Sequence, residues 1–257
     1  MSPRTSLAII RHEFRVMFTD PSTLIFILVI PLVMVALMRQ LFDRQLAAEG
    51  FPGANGSEFA IPGMAVGFAA FGVSYAGFTF FRDHGWGTWD RLRAAPVTSV
   101  ELIAGKVVPT VSVTVAQLSI LFLLGGPLFG FSVTGSVLGI ALIIVVLAVS
   151  LSAFGMAVTA VSRTMQQLNA IGSVGAFGMA MLGGTWVPVA AMPGWAQAVA
   201  PAMPTYWAMK GFRSVILEGG GVGSVMVPML VLIGFGVAFT ILAAMRFRLE
   251  EAKAYYG

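Results

Sequence analysis

Cysteine is absent from the 257 residues. Disulfides, thiolate metal sites and cysteine nucleophiles are excluded with it, and the redox compartment is left open. Charge is scarce. Asp, Glu, Lys and Arg make up 10% of the chain, against about 25% in a soluble domain, too little to cover a water-facing surface. Histidine occurs twice, as His12 and His84, both outside the long apolar runs. A bis-histidine haem within a bilayer is therefore excluded. No Asp, Glu or Lys stands in the middle of an apolar run, which weighs against proton relays and ion-coupled transport. No Gly-x-Ser-x-Gly occurs, and no histidine is placed to serve an intramembrane serine nucleophile. Gly105-Lys106 is followed by Val107 and has no glycine loop before it, so no P-loop for ATP is expected.

What the chain has in abundance is apolar sequence. Hydrophobic residues make up 58% and mean hydropathy is +0.90, and a chain of this length holds about six spans of roughly 20 residues. The pI of 9.9 would also suit nucleic acid. The basic residues instead border apolar runs, which points to a lipid surface and away from nucleic acid. No cleavable signal peptide is expected, because the first apolar run starts only at Leu24 and an acid-containing segment precedes it.

The charges that exist are unevenly placed. Residues 82–106 carry seven of the twenty-six charged side chains, while residues 59–81 and 107–162 carry none. This polar island must sit in water while its neighbours sit in lipid. Within it, Thr88 can cap a short helix over Trp89–Ala95 that Pro96 ends. Thr98-x-x-Glu101 then forms a capping box that starts the next helix. The short helix presents Thr88, Trp89, Asp90, Arg91, Leu92 and Arg93 on a rigid mount. That suits docking to a soluble partner, and a solvated connector is the alternative.

Taken in order, residues 5–19 read as a helix lying on the membrane surface, with Arg4, Arg11 and Arg15 facing headgroups. The other reading is the start of the first span. Asp20-Pro21 ends it. Spans are expected at about 24–42 (with a possible kink at Pro31), 59–81, 102–124, 137–161, 168–186 and 224–245. Gly125-Gly126-Pro127 and the polar Ser132–Ser136 stretch separate spans three and four. Residues 187–218 are apolar yet hold Pro188, Pro193, Pro201 and Pro204. Short helices dipping into one leaflet and returning, packed on protein, fit this pattern better than a straight span.

Lysine and arginine placement orients the chain. Eleven lie in the N-terminal segment, the 82–106 loop, the 162–167 turn and the tail, and four on the other side. Both termini and the polar island are thus expected in the cytoplasm, and residues 187–218 outside.

Two patterns within the spans are candidates for a path. In span two, Phe68, Phe71, Tyr75 and Phe78 fall on one helical face, opposite a stripe of Gly63, Gly67, Ala70, Ser74 and Gly77 that lets another helix approach closely. The aromatic face would line a path for an apolar substrate, or else meet lipid or pack. In span five, Asn169 and Ser173 share a face, either lining such a path or making one interhelical hydrogen bond.

Four segments, in order, resemble the type 2 ABC exporter permeases. Phe14 through Pro31 looks like the passage from an interfacial elbow helix into the first span, and Ile61-Pro62-Gly63 like the opening of the second. Gly87-Thr88, Leu92, Pro96-Val97, Glu101 and Gly105-Lys106 look like the coupling-helix segment. Pro188, Met192-Pro193-Gly194-Trp195, Pro204 and Gly211-Phe212-Arg213 look like the external re-entrant region.

The resemblance implies an all-α membrane protein of six transmembrane helices, with an N-terminal interfacial elbow helix, a cytoplasmic coupling helix between spans two and three, and external re-entrant helices between spans five and six. Residues 1–257 would form one permease domain without a nucleotide-binding domain. It also implies a plasma (inner) membrane location, pairing with a second permease copy or a related permease, and two cytoplasmic P-loop ATPase subunits holding ATP and Mg2+. Spans two and five would line the cavity between copies. The expected function is export of an amphipathic or hydrophobic drug, antibiotic or lipid, powered by a separate subunit. A lipid-linked glycan exporter and a membrane assembly or anchoring protein are the alternatives.

Overall fold

A computed structural model describes residues 11, 25–72, 77–79, 81–82 and 99–246, and the side chains of these except 99–103. The elbow helix (apart from Arg11, which is helical and exposed), the short helix over 89–95 and the charged tail beyond Arg246 lie outside the described residues. All elements among the described residues are helical. They are α1 (Ile30–Ala48), α2 (Ser57–Phe71), α3 (Ser99–Phe129), α4 (Val137–Val161), α5 (Met165–Leu182), α6 (Gly194–Val199), α7 (Pro204–Ile216) and α8 (Met226–Arg246). Residues 77–79 and 81–82 are helical too.

Among the described residues, four helical stretches are long and apolar enough to cross a membrane: Ile25–Ala48, Ala104–Phe129, Val137–Val161 and Val222–Arg246. The second expected span is represented by the shorter apolar α2 and by the helical residues after it. The fifth, α5, begins with a polar turn. Its first residues include Gln166, Gln167 and Asn169.

Helix ends follow local chemistry. The bounds of α4 coincide with those expected from sequence. Ser136 caps it by accepting from the Gly139 N–H at 3.2 Å. α5 starts at Met165, earlier than expected, because Thr164 is its cap. The Thr164 hydroxyl accepts from Gln167 N, and Gln167 Oε1 accepts from Arg163 N at 2.9 Å. The polar turn is thus the first turn of the helix itself. α3 corrects the expected break at Gly125-Gly126-Pro127. It runs through Pro127 to Phe129. A proline this close to a helix end forfeits one intrahelical bond, and the stop comes instead at Gly130, whose φ is +68°. The kink expected at Pro31 takes another form. Pro31 sits in the first turn of α1, preceded by a π-helical turn over Ile25–Val29. The wider turn accommodates a ring that cannot donate to the preceding turn.

In 187–218 the prolines open helices. Pro188 and Pro193 precede a 3-10 turn at Val189–Ala191 and α6, Pro201 lies in the 3-10 turn Ala200–Ala202, and Pro204 is the first residue of α7. The first turn of a helix is where a missing N–H costs least.

The bundle is organised around α2. Residues Ser57 through Gly67 are all buried, and α1, α3, α5 and α7 pack around them. Small residues make this possible. A Cβ on Gly63 would lie 2.2 Å from the Thr185 carbonyl oxygen, and one on Gly67 would lie 2.4 Å from Trp186 Nε1. A Cβ on Gly77 would lie 2.4 Å from Thr159 Oγ1. The stripe read from sequence therefore works as a seam, though Ser74 falls outside the described residues. α8 packs along α4, with Gly236 close to Ser150 Cα and Phe239 edge-on to Phe154 at 5.1 Å.

Candidate functional site

Of the expected docking residues, Thr88 to Arg93 lie outside the described residues. Their mount is described on both sides. Phe81 is fully buried with Val158 of α4 and Leu168 of α5. Arg82 and Lys106 are each 2% exposed. Lys106 Nζ donates to the Thr79 carbonyl at 3.2 Å, tying the foot of α3 to the helical residues that follow α2. α3 itself begins at Ser99, the residue after the expected cap.

Of the expected path residues, Phe68, Phe71 and Phe78 are half-buried, and Tyr75 lies outside the described residues. Phe68 and Phe71 gather around one residue that sequence reading did not single out. Trp186, just past the end of α5, stacks on Phe71 with centroids 6.0 Å apart and planes 10° apart. It meets Phe68 at 6.2 Å and Phe177 of α5 at 5.8 Å. Phe26, before α1, adds edge contacts to Phe68 and Phe71. Such pairs add roughly 0.5–1.5 kcal/mol each beyond area burial. The cluster is open at its rim, where Phe26 and Phe177 are exposed. The Trp186 indole N–H is buried without a hydrogen-bond partner among the described residues.

Asn169 and Ser173 are exposed on α5. They share that helix with Phe177, spaced at i, i+4 and i+8, so one broad face runs from polar to aromatic. Ile171 and Val174 flank it, also exposed. No hydrogen bond joins Asn169 or Ser173 to another helix among the described residues.

At the end of the bundle where α1 stops and α2 starts, polar contacts converge. Gly56 N donates to Asp43, Asn55 Nδ2 donates to the Phe129 carbonyl at 2.9 Å, and Thr134 Oγ1 donates to the Ile216 carbonyl at 2.7 Å. The Gly211-Phe212-Arg213 motif of α7 divides its labour here. Gly211 admits Ile143 of α4, where a Cβ would sit 2.7 Å from Cδ1. Phe212 is fully buried against Phe122 at 5.0 Å. Arg213 pairs with Glu49 at 2.5 Å and lies over the Phe51 ring. Thr205 Oγ1 donates to the Met179 carbonyl, binding α7 to α5.

Apolar helices of membrane-crossing length, bundled around a small-residue seam and carrying a polar island between two of them, define a multi-pass membrane protein. The match to known proteins agrees. Residues 5–217 match the ABC-2 type transporter family, and the chain belongs to that family. It is similar to the linearmycin resistance permease protein LnrN of Bacillus subtilis, at 26% identity over 205 residues, covering 79% of this chain and 53% of that one. It is similar to the daunorubicin resistance ABC transporter permease protein DrrB1 of Streptomyces coeruleorubidus, at 25% over 253 residues, covering 95% and 87%. The inner membrane transport permease YhhJ of Escherichia coli is 27% identical over 182 residues, covering 68% and 47%. The chain thus spans about half the length of the first and third of these relatives and most of the second.

Proposed function

We propose that this chain is the permease subunit of an exporter that moves an amphipathic or hydrophobic compound (a drug, an antibiotic or a lipid) out of the cytoplasm or the inner leaflet. ATP and Mg2+ are handled by a separate P-loop ATPase, as in ABC transporters whose motor is its own subunit. The observation that carries this is the face shared by α2 and α5. Phe68 and Phe71 pack around Trp186 with Phe177, and the exposed surface of α5 grades from Asn169 and Ser173 to that aromatic rim. A surface with polar and aromatic stations suits a cargo with both characters. Two relatives are named for resistance to linearmycin and to daunorubicin, which supports a drug or antibiotic as cargo.

In this reading two copies, or this chain and a related permease, face each other across α5, and two ATPase subunits bind at the polar island through Thr88–Arg93. The membrane is the inner (plasma) membrane, as one relative's name indicates for that relative, with both termini cytoplasmic. The buried Lys106 and Phe81 anchor the island's two flanks, so motion of the docked motor would enter the bundle at α3 and at the end of span two.

Purification in mild detergent with the candidate ATPase co-expressed tests this. A P-loop ATPase should copurify in a two-to-two ratio, and Trp89→Ala with Leu92→Ala should abolish both the association and cargo-stimulated hydrolysis. Unchanged association in the double variant would sink the docking assignment, and absence of any ATPase would sink the exporter reading.

A further inference from the structure

The end of the bundle that carries the Arg213 contacts also holds a cavity of about 620 Å3, within the usual range for a small-molecule site. Its walls come from the end of α1, the start of α2, the turn after α5, α7 and the start of α8. The charged groups that line it are three carboxylates, Glu49, Glu58 and Glu218, against two cations, Lys210 and Arg213.

The pairing is incomplete. Arg213 takes two of the carboxylates, Glu49 at 2.5 Å and Glu218 at 3.6 Å. Lys210 is solvent-exposed and lies over the Trp207 ring at 5.2 Å. Glu58 is 8% exposed. One of its oxygens accepts from Ser132 Oγ at 2.6 Å, and it has no cation partner and no second hydrogen bond among the described residues. Its place in the first turn of α2 offsets part of the cost of burying it, through the helix dipole. A carboxylate this buried, lining an open volume, still lacks a counter-charge. Phe59, Pro62, Val227 and Pro228 give the cavity apolar lining, and Tyr206 adds an aromatic ring, a group that attracts cations.

We propose that this cavity binds an amphiphile carrying a primary ammonium group, with the ammonium on Glu58 and the apolar body against Pro62 and Val227. Neither the aromatic cluster around Trp186 nor the polar island takes part. The binding site stands on the cavity alone; that its occupant is cargo on its way out rests on the exporter reading above. The same ammonium chemistry could arrive on an aminophospholipid headgroup, and the two sources are separable.

The full chain, purified in a neutral maltoside detergent without any ATPase, is titrated calorimetrically with phenethylamine and with its neutral counterpart phenethyl alcohol. The amine should bind and the alcohol should bind at least tenfold more weakly. Glu58→Gln keeps the bond to Ser132 and should weaken the amine at least tenfold while leaving the alcohol unchanged. Lys210→Gln removes a repelling charge from an exposed position and should tighten the amine a few-fold, an opposite sign that a merely unstable protein would not produce. In the lipid arm, mass spectrometry compares the lipids that copurify with the native chain and with Glu58→Gln. Phosphatidylethanolamine enriched over phosphatidylglycerol only in the native chain assigns the site to lipid; equal enrichment alongside amine binding assigns it to cargo. Equal binding of amine and alcohol, or a Glu58→Gln protein that binds the amine as well as the native one, overturns the proposal. Because the measurement uses the permease alone, that failure would leave the ATPase-association test untouched.

Discussion

The seam along α2 makes a prediction with two opposite signs. Gly63 faces the Thr185 carbonyl so closely that a Cβ there would stand 2.2 Å from the oxygen. Ordinary contact begins near 3.4 Å, so the two backbones would have to part by more than about 1 Å. Thr185 is not free to retreat. It is fully buried, its N–H donates to the Ala180 carbonyl at 3.1 Å, and its hydroxyl donates to the same oxygen at 2.7 Å. Overpacking against a backbone atom costs about 3 kcal/mol, and the helix preference of alanine over glycine returns about 0.5–1 kcal/mol. Gly63→Ala should therefore destabilise by about 2 kcal/mol. Gly178, on α5, has nothing within 4 Å of its would-be Cβ, so Gly178→Ala pays no packing cost and should stabilise by about 0.5–1 kcal/mol. The two variants add the same methyl group. They should differ by about 3 kcal/mol, or roughly a hundredfold in the unfolding equilibrium. Mixed-micelle denaturation of the two purified proteins reads that difference directly. Equal stabilities would refute the claim that Gly63 is held by close approach.

Three further outcomes are expected. Thr205→Val keeps the shape but removes the bond to the Met179 carbonyl, and should cost about 1–2 kcal/mol of thermal stability measured by intrinsic fluorescence. Trp186→Phe should be nearly neutral in the same assay, because the indole N–H has no partner to lose among the described residues. Trp186→Ala should cost about 3 kcal/mol as the ring cluster empties, and equal effects of the two would show that the rings are not what matters. With no native cysteine to interfere, Trp195→Cys, at a position that is 66% exposed, should react with an impermeant maleimide on intact cells. Ala95→Cys should react only after the membrane is opened, and labelling of both from outside would overturn this topology.

Much of the fold was legible because it rests on local chemistry. Ser136 announces α4, and the four prolines of 187–204 each stand at or beside a helix start, where their missing N–H is tolerated. The small stripe of span two was legible as a seam because helical spacing puts Gly63 and Gly67 on one side. Legibility failed where neighbours in space decide. Gly125-Gly126-Pro127 reads as a break, yet α3 continues through it, packed so closely that a Cβ on Gly125 would lie 2.3 Å from Ile61. Trp186 follows two glycines beyond the end of a helix, so no periodicity ties it to Phe68, Phe71 or Phe26. Arg213 could be matched to a motif, but its pairing with Glu49, far earlier in the chain, leaves no trace in spacing. Glu58 stands in sequence only as an acid bordering the second span, and only the enclosure built by α7 and α8 gives it a cavity to face.

The length of α3 has a consequence for how a partner meets the membrane. Its 31 residues span about 46 Å at 1.5 Å per residue, whereas the hydrocarbon core is about 30 Å thick. From Val107 to Phe129 the helix carries no charge, while Glu101 and Lys106 lie at its foot. The surplus length therefore emerges at the foot, and residues 99–106 form a pedestal of about 12 Å. Ser99, where α3 begins, thereby stands about 12 Å along the helix from the uncharged run. The height of that pedestal is set by the number of residues in one helix.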